Sequence, residues 1–216
     1  MTPISAGASS PARPAPALDG DQRVYLHDVT WDGYEAILAI RGDRSGVRIT
    51  YLEGELEIMS PSRGHERIKK TLARLVEAYA EERGLELGGV GSWTIKKESE
   101  ERGAEPDECY VLGPIEGREQ PDLAIEVVWT SGGIDKLEVY RGLGVKEVWF
   151  WEEGVISVHE LVGRVYEPRP RSVLFPDLDL ATLAAFAEKP LQTQAVREYR
   201  AWLRSPAAGP GAPGLA

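Results

Sequence analysis

Between Pro121 and Trp129 the chain reads Asp-Leu-Ala-Ile-Glu-Val-Val, a short apolar run with a carboxylate near its middle. At the strand period of two, Leu123, Ile125 and Val127 share one face, while Asp122, Ala124, Glu126 and Val128 share the other. The first face is wholly apolar, so the run reads as a strand buried on both sides. A carboxylate is costly there unless it is paired or bound to metal. Whatever this chain folds into must bring Glu126 a partner.

The flanking sequence supplies the elements of a mixed α/β domain built on a central sheet. Asp32 with Glu35 forms a capping-box pattern before Tyr34, Ile37, Leu38 and Ile40. Val47–Leu52 and Glu55–Met59 alternate about Glu53-Gly54, a two-residue hairpin signal. Ser62 caps a helix that Gly84 stops, with Ile68, Leu72, Leu75, Val76 and Tyr79 on one apolar face. Strand-like runs follow at 87–97, 107–112 and 122–129, then a helix over 134–143. A second hairpin, 147–151 with 155–159, turns at Glu153-Gly154, and 164–167 reads as a further strand. Asp179 caps a helix that Pro190 interrupts, and a last helix reaches Trp202. The Pro/Ala-rich segment 1–20 and the segment 205–216 are expected to be flexible tails around one domain, 21–204.

Composition narrows the function. Lys+Arg of 25 against Asp+Glu of 35 leaves a net charge of −10, which excludes a protein that coats nucleic acid with its whole surface. It leaves room for a local basic patch, and Arg63, Arg67, Lys70 and Arg74 form one at helical spacing. That stripe reads either as a solvated face or as a contact for a phosphate backbone. No stretch approaches the ~20 apolar residues a bilayer requires. A single cysteine, Cys109, and a first segment without a secretory pattern point to the cytoplasm.

Two Pro-Asp pairs offer acids near Glu126. Asp107 opens the preceding strand and can approach Glu126 from the neighbouring position, and two such carboxylates make a hard oxygen site suited to Mg²⁺ or Mn²⁺. Such a metal binds a phosphodiester and activates water, and a nearby lysine stabilises charge on the phosphate. Asp122 lies ~13 Å from Glu126 at ~3.3 Å per residue, which favours a turn or capping role over a shared ion. His65 falls on the inward side of its helix, the usual place of a satisfied core histidine. Glu55 and Glu57 share a strand face, and spacing does not choose between them as a third acid.

The stretch from Tyr51 to Trp151 resembles the Uma-two family of restriction endonucleases, a branch of the PD-(D/E)XK nuclease superfamily. The likeness rests on Gly54-Glu-Leu-Glu-Ile-Met-Ser-Pro61, His65-Glu66, Glu105-Pro-Asp107 and Cys109-Tyr110. It continues through Pro121-Asp-Leu-Ala-Ile-Glu-Val127, Thr130-Ser131, Lys136 four residues before Tyr140, and Gly144-Val-Lys-Glu-Val-Trp149. The resemblance implies a restriction-endonuclease-like core in which Asp107 and Glu126 are the paired acids. The superfamily's lysine sits two residues after the second acid, where this chain has Val128; the resemblance assigns its role to Lys136. It also draws Glu57 and His65 towards the active site. The implied activity is metal-dependent cleavage of DNA, with a homodimer expected because duplex DNA offers two strands. The alternative is a nuclease-fold protein that binds nucleic acid or a protein partner without cutting.

Overall fold

Both glutamate-glycine pairs turn hairpins. Glu53 and Gly54 take φ of 47° and 94°, and Glu153 and Gly154 take 47° and 81°, positive at both central positions as a tight two-residue hairpin demands. In the computed structural model, which describes residues 20–44 and 46–206, these hairpins belong to different sheets. The two expected tails fall outside the described residues except for Gly20, Ser205 and Pro206.

In chain order the elements are β1 (Gln22–Leu26), α1 (Trp31–Arg41), β2 (Arg48–Leu52), β3 (Glu55–Ser60), α2 (Arg63–Arg83), β4 (Leu87–Gly89), β5 (Ile95–Lys97), β6 (Arg102–Ala104) and β7 (Glu108–Leu112). They continue with β8 (Leu123–Val128), α3 (Lys136–Leu143), β9 (Glu147–Glu152), β10 (Val155–Val162), β11 (Val165–Arg169), α4 (Leu180–Ala187) and α5 (Gln192–Leu203). One sheet has five strands in the order β1-β3-β2-β6-β5, all antiparallel. The other has six, β11-β10-β9-β8-β7-β4, and is mixed, because α3 carries the chain from β8 to a parallel β9.

The architecture is therefore α/β as the pattern indicates, but its strands divide between two sheets rather than forming one. The run 87–97 splits accordingly: β4 joins one sheet and β5 the other. Two strands gave no readable sequence signal. β1 lies largely exposed, so its apolar residues do not alternate with burial, and β6 is only Arg-Gly-Ala. The first helix is capped by Thr30, whose hydroxyl accepts from Gly33 N, and not by Asp32, which sits in the first turn where the helix dipole favours an acid.

The six-stranded sheet is covered on both faces. On one, α2, α4 and α5 enclose Leu72, Ile125, Trp149 and Phe175 in the largest apolar cluster. On the other, α3 lies between the sheets, with Val139 and Tyr140 against Ala124 and Val148 of one and Ile95 and Ala104 of the other. α1 packs outside the five-stranded sheet over Ile49, Tyr51 and Leu56. Because these residues point outwards from β2 and β3, period two turns Thr50 and Glu57 inwards, towards β8.

The basic stripe of α2 is not an open face. Arg67 donates to the carbonyls of Ala187, Glu188 and Lys189, and Arg74 to Gln192 Oε1 at 3.0 Å. The last helices lie along that side of α2, and Arg67 caps the final carbonyls of α4. Arg63 and Lys70 remain exposed.

Two stability tests follow from this packing. A Cβ on Gly103 would lie 2.1 Å from Tyr34 Oη, whose ring is stacked on Tyr51 at 4.8 Å. Gly103→Ala should cost about 1–3 kcal/mol by overpacking, read from urea unfolding. Glu82 joins α2 to α5 by accepting from Arg200 and Arg204, and these hydrogen bonds lower its pKa from 4.5 to about 2. A carboxyl whose pKa falls on folding stabilises above its unfolded value and loses that contribution as pH drops through the folded one. Glu82→Gln should thus lower the melting temperature at pH 7, less so in high salt, and leave it unchanged near pH 2.

Candidate active site

The pairing of β7 with β8 sets Glu108 opposite Ile125, and one step further along the same register sets Asp107 opposite Glu126. Asp107 is fixed before β7 begins by its neighbour Glu105, which is buried and accepts from Ile49 N at 3.0 Å and Thr94 Oγ1 at 2.6 Å while pairing with Arg41. Asp107 itself is 1% exposed, and its Oδ2 accepts from Val127 N at 2.9 Å. Its Oδ1 faces His65 Nε2 at 2.9 Å and Arg48 Nε at 3.8 Å, yet accepts no aligned hydrogen bond.

Glu126 is 5% exposed in the middle of β8. Its Oε1 takes the hydroxyl of Tyr140 and, at 3.3 Å, Lys136 Nζ, which also donates to Thr50 Oγ1 at 2.9 Å. Lys136 and Tyr140 are i and i+4 on α3, one turn apart on the side that meets β8. Helix α3 starts at Lys136 because Asp135 caps it, Oδ1 accepting from Glu138 N. The approach to that cap passes directly over Glu57: a Cβ on Gly133, at φ 123°, would sit 2.5 Å from Glu57 Oε2, so glycine alone fits. Glu57, Glu126, Lys136 and Arg23 line one narrow cavity of about 60 Å³.

Charge in this cavity is held by mutual contacts. Burial penalises the Asp107 carboxylate, but His65, Val127 N–H and Lys136 outweigh it and hold its pKa below the ordinary value. For Glu126 the balance goes the other way: burial and the neighbouring Asp107 raise its pKa despite Lys136 and Tyr140. His65 is fully buried between two acids, Nδ1 donating to Asp21 Oδ2 at 3.0 Å and Nε2 facing Asp107. Burial lowers its pKa, yet the two carboxylates win and raise it.

Unsatisfied oxygens separate this cluster from a buried carboxylate with a purely structural task. Glu147, 0% exposed in β9, has both oxygens filled: Trp149 Nε1 and Ser172 Oγ bond one, and Val173 N and Leu174 N the other. In this cluster, Asp107 Oδ1 and Glu57 Oε2 are buried without an aligned hydrogen bond, the first facing His65 Nε2 at 2.9 Å and the second Arg23 Nε at 3.6 Å. An orphaned acceptor of this kind invites a ligand that supplies positive charge. Among the described residues no group of three or more His, Cys, Asp or Glu is arranged to hold a metal ion. A hard cation here would take two carboxylates and complete its shell from backbone, water or substrate oxygens, the mode usual for Mg²⁺.

The structure thus gathers Asp107, Glu126, Lys136, Glu57 and His65 around one end of β8. It places Asp122, which the family likeness also offered as an additional site residue, at the other end of β8, where Oδ2 accepts from Leu112 N at 2.9 Å and pairs with Arg118. Glu55 points away towards His27. Four contributors went unread in the sequence: Asp21 and Arg23 of the unrecognised N-terminal segment, and Arg48 and Thr50, which look like ordinary strand residues. Tyr140 was visible only as part of a spacing.

No curated protein matches the chain. Among solved structures, it is similar to the crystal structure of "a putative nuclease belonging to DUF820 from Anabaena variabilis ATCC 29413", at 14% identity over 70% of this chain and 90% of that one, with a TM-score of 0.41. The family model described as "Uma2: Putative restriction endonuclease" matches residues 31–191, a span that includes Asp107, Glu126 and Lys136. On that match, the chain belongs to the Uma2 family.

Proposed function

We propose that this protein is a divalent-metal-dependent endonuclease that hydrolyses phosphodiester bonds in DNA. The observation that carries the reading is the meeting of Asp107, Glu126 and Lys136 around one end of β8, with Asp107 Oδ2 bonded to Val127 N and Lys136 Nζ 3.3 Å from Glu126 Oε1, although Val128 stands where the superfamily's lysine usually lies. Asp107 and Glu126 would hold Mg²⁺ or Mn²⁺ through hard oxygens, and the unfilled Oδ1 of Asp107 fits that task. Bound there, the cation supplies Lewis acidity to the phosphate and lowers the pKa of water.

The chain's own residues do the rest. Lys136 sits where it can donate to a non-bridging phosphate oxygen or hold the attacking water. Thr50 and Glu126 fix the direction of its ammonium group before substrate arrives. Tyr140 orients the Glu126 carboxyl from the same helix. His65 and Arg48 offset the charge of Asp107. The cavity is too small for a nucleotide, so the DNA backbone reaches it from outside, and exposed Arg63 and Lys70 are the basic groups of the α2 stripe available to it.

Purified protein with Mg²⁺ or Mn²⁺ should nick supercoiled plasmid. Asp107→Asn, which keeps the hydrogen bond from Val127 N, and Glu126→Gln should each abolish nicking, and Lys136→Ala should lower kcat by about 10²–10³-fold. Cutting that survives both acid substitutions overturns the assignment. A wild type that binds DNA but takes up no Mn²⁺ in calorimetry establishes the non-cutting alternative. With two strands to cut, a two-fold dimer is the expected assembly, and a monomeric mass in light scattering contradicts it.

A further inference from the structure

Residues 130–133 join the end of β8 to the cap of α3 and so decide where Lys136 starts. Gly132 and Gly133 both take positive φ, and among the described residues no main-chain hydrogen bond holds Thr130–Gly133. Left to itself this turn has many conformations, and Lys136 would be carried with it.

One side chain supplies the missing hydrogen bonds. Arg23 Nη1 donates to the carbonyls of Thr130 at 2.7 Å, Gly132 at 3.0 Å and Ser131 at 3.4 Å. Its Nε lies 3.6 Å from Glu57 Oε2 and its Nη2 4.0 Å from Asp21 Oδ2, ion pairs that orient the guanidinium. Asp21 N adds a bond to Thr130 Oγ1 at 3.2 Å. Arg23 comes from β1, which precedes the residues matched by the family, and its side chain is 14% exposed at the wall of the catalytic cavity.

We propose that Arg23 is a positioning residue of the active site: it clamps the Thr130–Gly132 turn so that Lys136 is delivered to Glu126. The clamp depends on one nitrogen, Nη1, which the planar guanidinium places within reach of three carbonyls, more than on its charge. As a positioning role in DNA cleavage, the inference rests on the nuclease reading above; the geometry of the clamp does not.

Arg23→Lys and Arg23→Ala distinguish the possibilities. Hydrogen exchange of metal-free protein should show the first hydrogen-bonded amides of α3, Glu138 and Val139, exchanging about tenfold faster or more in both variants as the loosened turn frees the Asp135 cap, with α2 unaffected. Mn²⁺ affinity by calorimetry should stay at the wild-type value, because Asp107 and Glu126 are untouched. On plasmid, kcat should fall about 10–100-fold with KM little changed, and lysine should not rescue it. Exchange of Glu138 and Val139 at the wild-type rate in both variants overturns the clamp. Full rescue of kcat by lysine also overturns it, since charge alone would then suffice. A general drop in melting temperature with faster exchange everywhere assigns Arg23 to stability instead. A wild type that never nicks DNA overturns the nuclease reading, while the exchange comparison still decides whether Arg23 holds the turn.

Discussion

The structure turns on one carboxylate. Glu126 lies in the centre of a strand whose other residues belong in a core, and an ionised group there is tolerated only when cations and donors surround it. Everything near β8 answers that demand. α3 returns over the sheet to present Lys136 and Tyr140, β2 contributes Thr50, and the start of β7 sets Asp107 alongside. Placing a second acid next to the first makes the electrostatic problem worse, and His65 and Arg48 then become necessary. The site is a chain of compensations in which each charge is tolerated because of the next.

Those compensations stop short of completion, and the shortfall carries the functional meaning. The protein demonstrably can satisfy a buried glutamate: Glu147 receives bonds on both oxygens from a tight turn beyond β11. Near Glu126 it leaves an Asp107 oxygen and a Glu57 oxygen without hydrogen bonds. Stability alone would favour filling or replacing these groups. Their place beside a lysine is the feature that sets this cluster apart from Glu147.

How much of this was legible depended on whether the signal was local. The Glu126 strand, the Ser62 cap and both glutamate-glycine hairpins are written in consecutive residues, and their positions in the structure follow. The Asp107–Glu126 neighbourhood was accessible because two strands in sequence often pair. The division into two sheets was not, since nothing in residues 87–97 marks the point where the chain crosses from one to the other. Arg67 and Arg74 illustrate the same limit on a helix: spacing put them on one side of α2 but carried no information about α4 and α5 covering it. Asp21 and Arg23 were least legible of all, because an exposed edge strand lacks alternation and their meaning lies in partners far along the chain.

That separation has a consequence for how the site comes into being. Asp21 bonds to Thr130 across 109 residues and to His65 across 44, and Arg23 reaches Gly132 across a similar span. Contacts of such long range carry a large loop-closure entropy and form only after the sheets that bring the ends together. During synthesis β1 is made first but has nothing to grip until β8 and the turn after it have emerged. The lysine and its acids therefore become properly aligned only once most of the domain exists, so a partly made or partly unfolded chain lacks an organised site. Linking β1 to a turn 109 residues further on makes correct folding a precondition of an organised site.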